Sequence, residues 1–420
     1  MFNLFSGSGD NKLLDRLVSE LHSINGDSTQ WRQCKLASVS YYYASSNASS
    51  LSLTLAASPW LAQSPGLHPL KITRAEQPNA TFTSQTGPSE PSVAVSGRVS
   101  EELAFTLISQ DGLSLGHLVD VLSALSAREG SVISIKTLSN PADTVVTAID
   151  VIAQLKHESV DEALDPLALW RPIMYNLGLS HSIDITVQRH NVFRRHKRLV
   201  IFDMDSTLIQ QEVIDEIARR AGVVEQVSKI TESAMRGEID FKESLQRRVA
   251  LLKGCPVSVL DDVRASITFS DGARDLCRAL KRLGCKLAVI SGGFMPLARF
   301  VQAELQLDYA FANNLEVEKD GNCFRGTTSG PIVDATRKAE LLTVISQAES
   351  VYEIQQPTQT TAIGDGANDL QMLAAAGFGI AYNAKPKVQQ HADARINQPS
   401  LTNVLYLMGL EWSEICLLIE

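Results

Sequence analysis

The pattern of hydrophobic and polar positions predicts an α/β fold for the C-terminal half of the chain. Short runs that are apolar on both faces alternate there with helical stretches, as in a buried parallel sheet covered by helices. A turn signal at Lys319-Asp320-Gly321 predicts a hairpin over 315–327. We expect a Rossmann-like parallel sheet within residues 198–420, built from the runs LVIF (199–202), KLAVI (286–290), TTAI (360–363) and GIAY (379–382).

Residues 93–188 alternate between strand-like and helix-like patterns in the order βαββαβ. This order is that of a ferredoxin-like α+β domain. The second helix is predicted despite Pro166 and Pro172. The predicted strands cover 103–109, 131–138, 144–155 and 182–189, and the predicted helices cover 115–127 and 160–178.

Residues 1–90 form an N-terminal segment of unclear fold that ends in a linker. Residues 36–70 contain no Lys, Arg, Asp or Glu, but scattered serines and three prolines argue against a membrane-spanning helix. Residues 76–92 are polar and rich in Pro, which is typical of a linker. We therefore expect no membrane partner.

Charge and cysteine usage narrow the class of protein. The chain has 420 residues, and its 38 Lys and Arg against 47 Asp and Glu give a net charge of −9. An acidic chain is a poor match for phosphate backbones, so we expect no nucleic-acid partner and interpret the basic segment 189–198 as a solvated junction. The six cysteines include no CxxC pair, and the N-terminus lacks a leader-like apolar run, so a cytoplasmic location is expected.

Three of the predicted strands end in loops that contain reactive or ligand-binding residues. LVIF leads to Asp203 and Asp205, KLAVI leads to Ser291-Gly292, and TTAI leads to Asp365. Ligands bind outside the carboxyl ends of strands in open parallel sheets, so these loops should open onto one edge. Several carboxylates so close together repel one another unless a cation separates them, and an oxygen-only ligand set suits Mg²⁺.

A phosphate group would complete the shell of such a cation. The Ser291 hydroxyl and the Gly292 amide can donate hydrogen bonds to phosphate oxygens, and glycine permits a close approach of the backbone. Lys338 could neutralise the remaining charge. The residues thus predict a magnesium site that also holds a phosphate group.

The strings DMDST, SGGF and GDGAND, with Lys338 between the last two, resemble the haloacid dehalogenase superfamily of phosphatases. The resemblance implies that Asp203 is the nucleophile and that Asp205 is the general acid and base. It also implies that Ser291 and Lys338 hold the phosphoryl group. The implied magnesium ligands are the side chains of Asp203 and Asp365 and the backbone carbonyl of Asp205, with Asp369 as a supporting residue.

Residues from about 210 to 270 are mostly helical in pattern and follow the nucleophile loop directly. An insertion at this point predicts a small helical cap that excludes water and selects the substrate. The strings DMDSTLIQQEVIDEIA, ITESAMRGEIDFKESLQRRVALLKG and LDYAFANNLEV resemble the phosphoserine phosphatase branch of the superfamily.

That resemblance implies the final step of serine biosynthesis, the hydrolysis of O-phosphoserine. It implies that Glu212 faces the substrate ammonium group and Arg248 its carboxylate, with Met235 and Phe241 packing the cap side and Gly292 and Asn368 near the phosphate. A carboxylate, a guanidinium fork and a phosphate site are the groups that phosphoserine requires. Other interpretations stay open. The chain could hydrolyse another small phosphomonoester such as phosphohomoserine or transfer its phosphate, or it could be a non-catalytic amino-acid sensor.

The ferredoxin-like region resembles the small ACT-type regulatory domains that bind amino acids. Gln110-Asp111-Gly112-Leu113 stands where those domains usually carry an Asp-x-Pro-Gly turn. The resemblance implies either an amino-acid effector at this domain or a structural role, including assembly of a homodimer.

Overall fold

The computed structural model describes residues 100–156, 165–350 and 357–420, together with three short strands nearer the N-terminus. These strands pair antiparallel and are β1 (Ser40–Tyr41), β2 (Ser50–Thr54) and β3 (Leu70–Thr73). The other residues before Ser100, including the predicted linker at 76–92, lie outside the described residues. The chain divides into two compact units, residues 1–191 and 192–420.

The described elements of the first unit from residue 100 onward confirm the predicted βαββαβ order. Its four strands form one antiparallel sheet in the order β5-β6-β4-β7, which is the ferredoxin-like arrangement. The elements are β4 (Ser100–Ile108), α1 (Leu115–Ser126), β5 (Ser131–Thr137), β6 (Ala148–Lys156), α2 (Pro166–His181) and β7 (Asp184–Arg189).

Two boundaries in this unit differ from the sequence prediction by four residues or more. Strand β6 begins at Ala148 and not at residue 144, because the Val146 carbonyl accepts a hydrogen bond from Leu113 N in the loop after β4. Helix α2 begins at Pro166, where Asp165 caps it by accepting from Leu167 N, and continues through Pro172. Residues 157–164 lie outside the described part of the chain.

The second unit contains the predicted α/β sheet and the predicted cap. Its seven strands run in the order β11-β10-β9-β8-β12-β13-β14, and every neighbouring pair is parallel except β10 with β11. The elements in chain order are α3 (Val192–Arg195), β8 (Leu199–Phe202), α4 (Val213–Ala221), α5 (Val224–Met235), α6 (Phe241–Ala250), α7 (Val259–Ser266), α8 (Ala273–Arg282), β9 (Lys286–Phe294), α9 (Met295–Leu305), β10 (Tyr309–Val317), β11 (Phe324–Ser329), α10 (Ala335–Ser350), β12 (Thr360–Gly364), α11 (Leu370–Ala375), β13 (Gly379–Tyr382), α12 (Pro386–His391), β14 (Ala394–Ile396), α13 (Asn403–Leu407) and α14 (Trp412–Ile419).

Strand β8 lies in the middle of this sheet, between β9 and β12. All four of its side chains are buried, as expected for a strand covered on both faces. Phe202 is paired with Val289 of β9 and with Ile363 of β12, so these three residues lie at the same level of the sheet, near the carboxyl ends of β8 and β12. Helices α4 to α7 follow β8 in the chain and form the cap, and β10 and β11 form the predicted hairpin.

Strand β9 is longer than the sequence predicts. Its pairing with β10 runs from Ile290–Phe311 to Phe294–Asn313, so four residues on β9 advance against two on β10. The extra residues form a bulge at Ser291-Gly292-Gly293, and bulges often redirect side chains next to functional sites. The motif therefore lies within the strand and not in a separate loop.

The basic segment 189–198 is used for internal contacts. The buried Arg194 donates to Leu407 O, and Arg195 donates to Gly409 O and to Glu414. Lys197 donates to Thr358 O at 2.8 Å, and burial lowers its pKa to about 8. No helix within the described ranges is both long enough and apolar enough to cross a membrane.

Candidate active site

The three segments that carry Asp203, Ser291 and Asp365 meet at the carboxyl edge of the sheet. Asp203 follows β8, Ser291 lies in the bulge of β9, and Asp365 follows β12. The Asp203 N–H donates to Ile363 O at 2.9 Å, which extends the pairing of β8 with β12 up to the first carboxylate. The expected convergence therefore follows from strand order alone.

Lys338 lies between two carboxylates at the centre of this edge. Its Nζ is 2.8 Å from Asp203 Oδ1 and 2.7 Å from Asp369 Oδ1, and its side chain is completely buried. Burial by itself would lower the pKa of Lys338, but the two carboxylates outweigh that effect and raise it. The lysine is therefore a fixed positive charge beside Asp203.

Three carboxylates form a compact acidic group. Oxygens of Asp203, Asp365 and Asp369 all lie within 4.8 Å of one another. Burial, followed by the charge of Asp369, raises the pKa of Asp203 well above its usual range and raises the pKa of Asp365 to about 7. Thr207 Oγ1 donates to Asp365 Oδ1 at 3.1 Å and partly offsets the shift there.

This acidic group has the chemistry of a divalent-cation site. Its donors are hard oxygens, and their mutual repulsion is relieved when a cation lies between them. Two of the three carboxylates already contact Lys338, which leaves Asp365 and the second oxygen of Asp203 as the side-chain oxygens best suited to a metal ion. The residues present therefore fit Mg²⁺.

The Asp205 carboxylate lies outside this compact acidic group and contacts the start of the cap. Its Oδ1 accepts from Val213 N at 3.4 Å, and its Oδ2 lies against Gly293. Burial and the nearby charge of Glu212 raise the pKa of Asp205, so the group tends to hold a proton. A carboxyl group that is free of the metal and readily protonated can serve as a general acid.

The bulge of β9 lies in close contact with side chains of the cap. The fully buried Ser291 accepts from Gly293 N at 2.8 Å. A Cβ at Gly292 would lie 2.9 Å from Phe241 Cζ, and a Cβ at Gly293 would lie 2.8 Å from Val213 Cγ2. Glycine at both positions therefore permits this close approach of the cap side chains Phe241 and Val213.

The cap contributes two charged side chains. Glu212 precedes α4 and accepts from Ser206 Oγ at 2.8 Å. Burial of its carboxylate group raises its pKa, although the residue as a whole is exposed. Arg248 on α6 is half-buried, and burial lowers its pKa against the opposing charges of Asp215, Glu212 and Asp205. Its Nε donates to Ser244 O, and within the described residues it forms no ion pair.

The remaining predicted residues lie at the margins of the site. Phe241 begins α6 and covers Gly292. Asn368 lies in the turn after β12, with its Oδ1 beside Gly366. Met235 ends α5, and its side chain is outside what the structure describes.

Two supporting residues were not singled out from the sequence. Asn313 on β10 donates to Gly292 O and accepts from Val333 N, both at 2.8 Å, so it ties the bulge of β9 to the segment before α10. Asp334 accepts from Arg337 N at the start of the helix that carries Lys338. Asn313 lies within the string LDYAFANNLEV, but nothing in its local pattern reveals these distant partners.

The second unit of the chain is similar in sequence to a known family of hydrolases. Residues 197–377 match the haloacid dehalogenase-like hydrolase family. The chain is 49% identical over 235 residues to a probable phosphoserine phosphatase of Schizosaccharomyces pombe, covering 56% of this chain and 78% of that protein. It is 41% identical over 305 residues to a phosphoserine phosphatase of Saccharomyces cerevisiae, covering 72% of this chain and 93% of that one.

A solved structure extends the similarity to the first unit. The crystal structure of a haloacid dehalogenase family hydrolase from Salmonella enterica serovar Typhi aligns with a TM-score of 0.60 at 31% identity. The alignment covers 73% of this chain and 98% of that chain. Because the described second unit is only about half of the chain, coverage of this extent includes part of the N-terminal half.

Proposed function

The chain belongs to the phosphoserine phosphatase family of the haloacid dehalogenase-like hydrolases, and we propose that it hydrolyses O-phospho-L-serine to L-serine and phosphate. It is a phosphoric monoester hydrolase. The observation that supports this substrate best is Arg248, a half-buried cation with no ion-pair partner among the described residues, within electrostatic reach of Glu212 and Asp205. A zwitterionic amino acid esterified to phosphate would supply the missing anion.

We assign the first chemical step to Asp203 and Asp205. Asp203 Oδ1 is held by Met204 N and Lys338, and these contacts fix the orientation of the carboxylate that attacks phosphorus. The bond from phosphorus to the serine oxygen breaks, and Asp205 gives its proton to that leaving oxygen. The products of this step are serine and an aspartyl-phosphate on Asp203.

The second step regenerates the enzyme. Water attacks the phosphorus of the aspartyl-phosphate, and Asp205, now ionised, accepts the proton of that water. The bond from phosphorus to the Asp203 oxygen breaks, which releases inorganic phosphate and restores the carboxylate. One residue thus acts as acid and then as base, as the raised pKa of Asp205 favours.

The surrounding residues neutralise the phosphoryl charge. The Ser291 hydroxyl and the Gly292 N–H donate hydrogen bonds to the phosphoryl oxygens, and the Lys338 ammonium group faces the same position. Mg²⁺ would be held by the side chains of Asp203 and Asp365 and by the backbone carbonyl of Asp205, and it would supply electrostatic stabilisation of the transferring group. Asp369 keeps Lys338 in place from the far side.

We assign the recognition of serine to the cap. Arg248 pairs with the carboxylate through its planar fork, and Glu212 accepts from the ammonium group. Phe241 supplies an apolar wall, and Asn368 hydrogen-bonds near the phosphate. The contact of Phe241 with Gly292 supports this arrangement, because it brings the cap directly over the phosphate-binding backbone.

The test is phosphate release from a panel of phosphomonoesters in the presence of Mg²⁺. O-Phospho-L-serine should be preferred over phosphohomoserine, phosphoethanolamine and p-nitrophenyl phosphate. Product analysis with added alcohols separates hydrolysis from phosphotransfer. Phosphate release from phosphoserine no faster than from p-nitrophenyl phosphate would contradict the assignment.

We further propose a cytoplasmic location, an amino-acid effector at the ferredoxin-like unit and a homodimer. The free cysteines of the described residues support a reducing compartment. The βαββαβ arrangement supports the other two proposals by its resemblance to amino-acid-binding domains. Activity measured against added L-serine tests the effector, and light scattering tests the assembly.

A further inference from the structure

Two linkers connect the cap to the sheet, and they run side by side. Residues 208–212 lead into the cap and residues 266–270 lead out of it. Ile209 and Phe269 form an antiparallel bridge, and Gln210 N donates to Thr268 O at 2.9 Å. Ser270 N donates to Leu208 O at 2.9 Å, so the end of this ribbon nearest the sheet is held by backbone hydrogen bonds.

At the end nearest the cap, the side chain of Gln211 joins the two linkers. Gln211 Nε2 donates to Ser266 O at 3.1 Å, and Gln211 Oε1 accepts from Thr268 N at 3.0 Å. Both ends of the amide are therefore used, and Ser266 is the last residue of α7. The backbone oxygen of Gln211 also accepts from Ser206 N, at 3.4 Å, in the loop that follows the nucleophile.

This position matters because Glu212 comes next. Glu212 has an extended backbone conformation, begins the turn into α4 and accepts from Ser206 Oγ. A shift of Gln211 relative to the outgoing linker would displace the Glu212 carboxylate. Small misplacements of substrate-positioning groups have large effects on rates.

We propose that Gln211 is a positioning residue, which fastens the two cap linkers together and so sets the location of Glu212 relative to the phosphoryl site. The proposal rests on the proposed function, in which Glu212 binds the ammonium group of phosphoserine. Gln211 itself does not touch the substrate. Its effect is therefore confined to substrates that carry the ammonium group.

The experiment compares Gln211→Met with Gln210→Met in the full-length protein. Methionine has nearly the same length as glutamine but lacks the amide, and the neighbouring Gln210 is a matched control whose side chain donates one hydrogen bond to the same linker, at Phe269 O, 3.3 Å. The substrates are O-phospho-L-serine and 3-phosphonooxypropanoate, which keeps the phosphate and the carboxylate but lacks the ammonium group. The measured quantities are kcat, KM and the midpoint of thermal unfolding.

Gln211→Met should raise KM for phosphoserine about fivefold to twentyfold and change kcat by less than about threefold, as expected for loss of two partly exposed hydrogen bonds. Both parameters for 3-phosphonooxypropanoate should stay within about twofold, and Gln210→Met should stay within about twofold on both substrates. Equal losses on the two substrates, or no loss on either, would overturn the proposal.

A second measurement covers the case in which Gln211→Met unfolds. In the background of Glu212→Gln, replacing Gln211 by Asn should have no further effect on KM for phosphoserine, because the group being positioned is already disabled. Independent, multiplying effects would overturn the proposal. Absence of phosphoserine hydrolysis by the unmodified protein would instead overturn the proposed function, so the two failures are distinguishable.

Discussion

Replacing Arg248 by alanine should remove the recognition of the substrate carboxylate while leaving the phosphoryl chemistry intact. Arg248 is half-buried on α6, and its only side-chain hydrogen bond within the described residues goes to Ser244 O of the same helix. The Arg248 side chain therefore contributes little to the stability of the free protein. Its loss should matter chiefly when the substrate carboxylate is bound.

The magnitude follows from the environment of the guanidinium group. Truncating one partner of a desolvated charge pair costs about 2 to 5 kcal/mol, much of it because the other charge is left unpaired. Since Arg248 keeps partial exposure, we take the lower part of the range, about 2 to 3 kcal/mol. At about 1.4 kcal/mol for each factor of ten, kcat/KM for phosphoserine should fall about 30-fold to 150-fold.

The assay is steady-state phosphate release from phosphoserine and from phosphoethanolamine, which lacks the carboxylate. Arg248→Ala should change kcat/KM for phosphoethanolamine by less than about threefold. Arg247→Ala is the matched control, since Arg247 is the adjacent residue on the same helix and pairs with Glu243 on the exposed face. Arg248→Lys should recover only a small part of the loss, because an ammonium group cannot reproduce the fork.

Equal losses on the two substrates would refute this reasoning. They would mean that Arg248 supports the fold of the cap and does not bind the substrate carboxylate. The same outcome for Arg247→Ala would point to a general weakening of α6. Circular dichroism of each variant distinguishes a misfolded cap from a folded cap that has lost one contact.

Three further predictions address the chemistry and the fold. Asp203→Asn should abolish phosphoserine hydrolysis while keeping the far-ultraviolet circular dichroism, because an amide is not a carboxylate nucleophile; near-normal turnover would contradict covalent catalysis. Removal of Mg²⁺ by a chelator should abolish activity, and Ca²⁺ should not restore it, because Ca²⁺ accepts more ligands at longer distances and could engage both oxygens of Asp203; full activity with Ca²⁺ would contradict this. Burial would raise the pKa of Asp308, but hydrogen bonds from Leu287 N and Lys281 outweigh it and lower the pKa. Its stabilisation is therefore present above the unfolded-state pKa and is lost as pH falls through the folded-state pKa. Asp308→Asn should lower the free energy of unfolding by about 1 kcal/mol at pH 7, and urea titrations should show this difference shrinking as pH falls through the pKa of Asp308; a difference that stays constant as pH falls would contradict the prediction.

Local patterns in the sequence were sufficient for the main architecture. Runs such as LVIF can be recognised because a strand buried on both faces must be apolar at every position. The positions of Asp203 and Asp365 follow in turn, since residues after parallel strands share one edge of the sheet. The cap could be placed because its helices interrupt the alternation directly after the nucleophile loop.

Strand ends and bulges depended on partners that are distant in the chain. Strand β6 begins at Ala148 because the loop after β4 occupies the Val146 carbonyl. The bulge at Ser291-Gly292-Gly293 exists because β10 pairs with β9 on both sides of it. Neither feature has a local signature, since an extended backbone can bond to any neighbour that the fold provides.

The same distinction applies to the candidate site. The sequence by itself determined which reactive groups are present and which edge of the sheet most of them reach, although their individual roles stay predictions. Only the tertiary structure decided that Lys338 lies between Asp203 and Asp369, that Asn313 holds the bulge of β9, and that Gln211 joins the two linkers of the cap. These contacts join segments far apart in the chain, and the residue types involved are common on any surface, so packing alone assigns their partners.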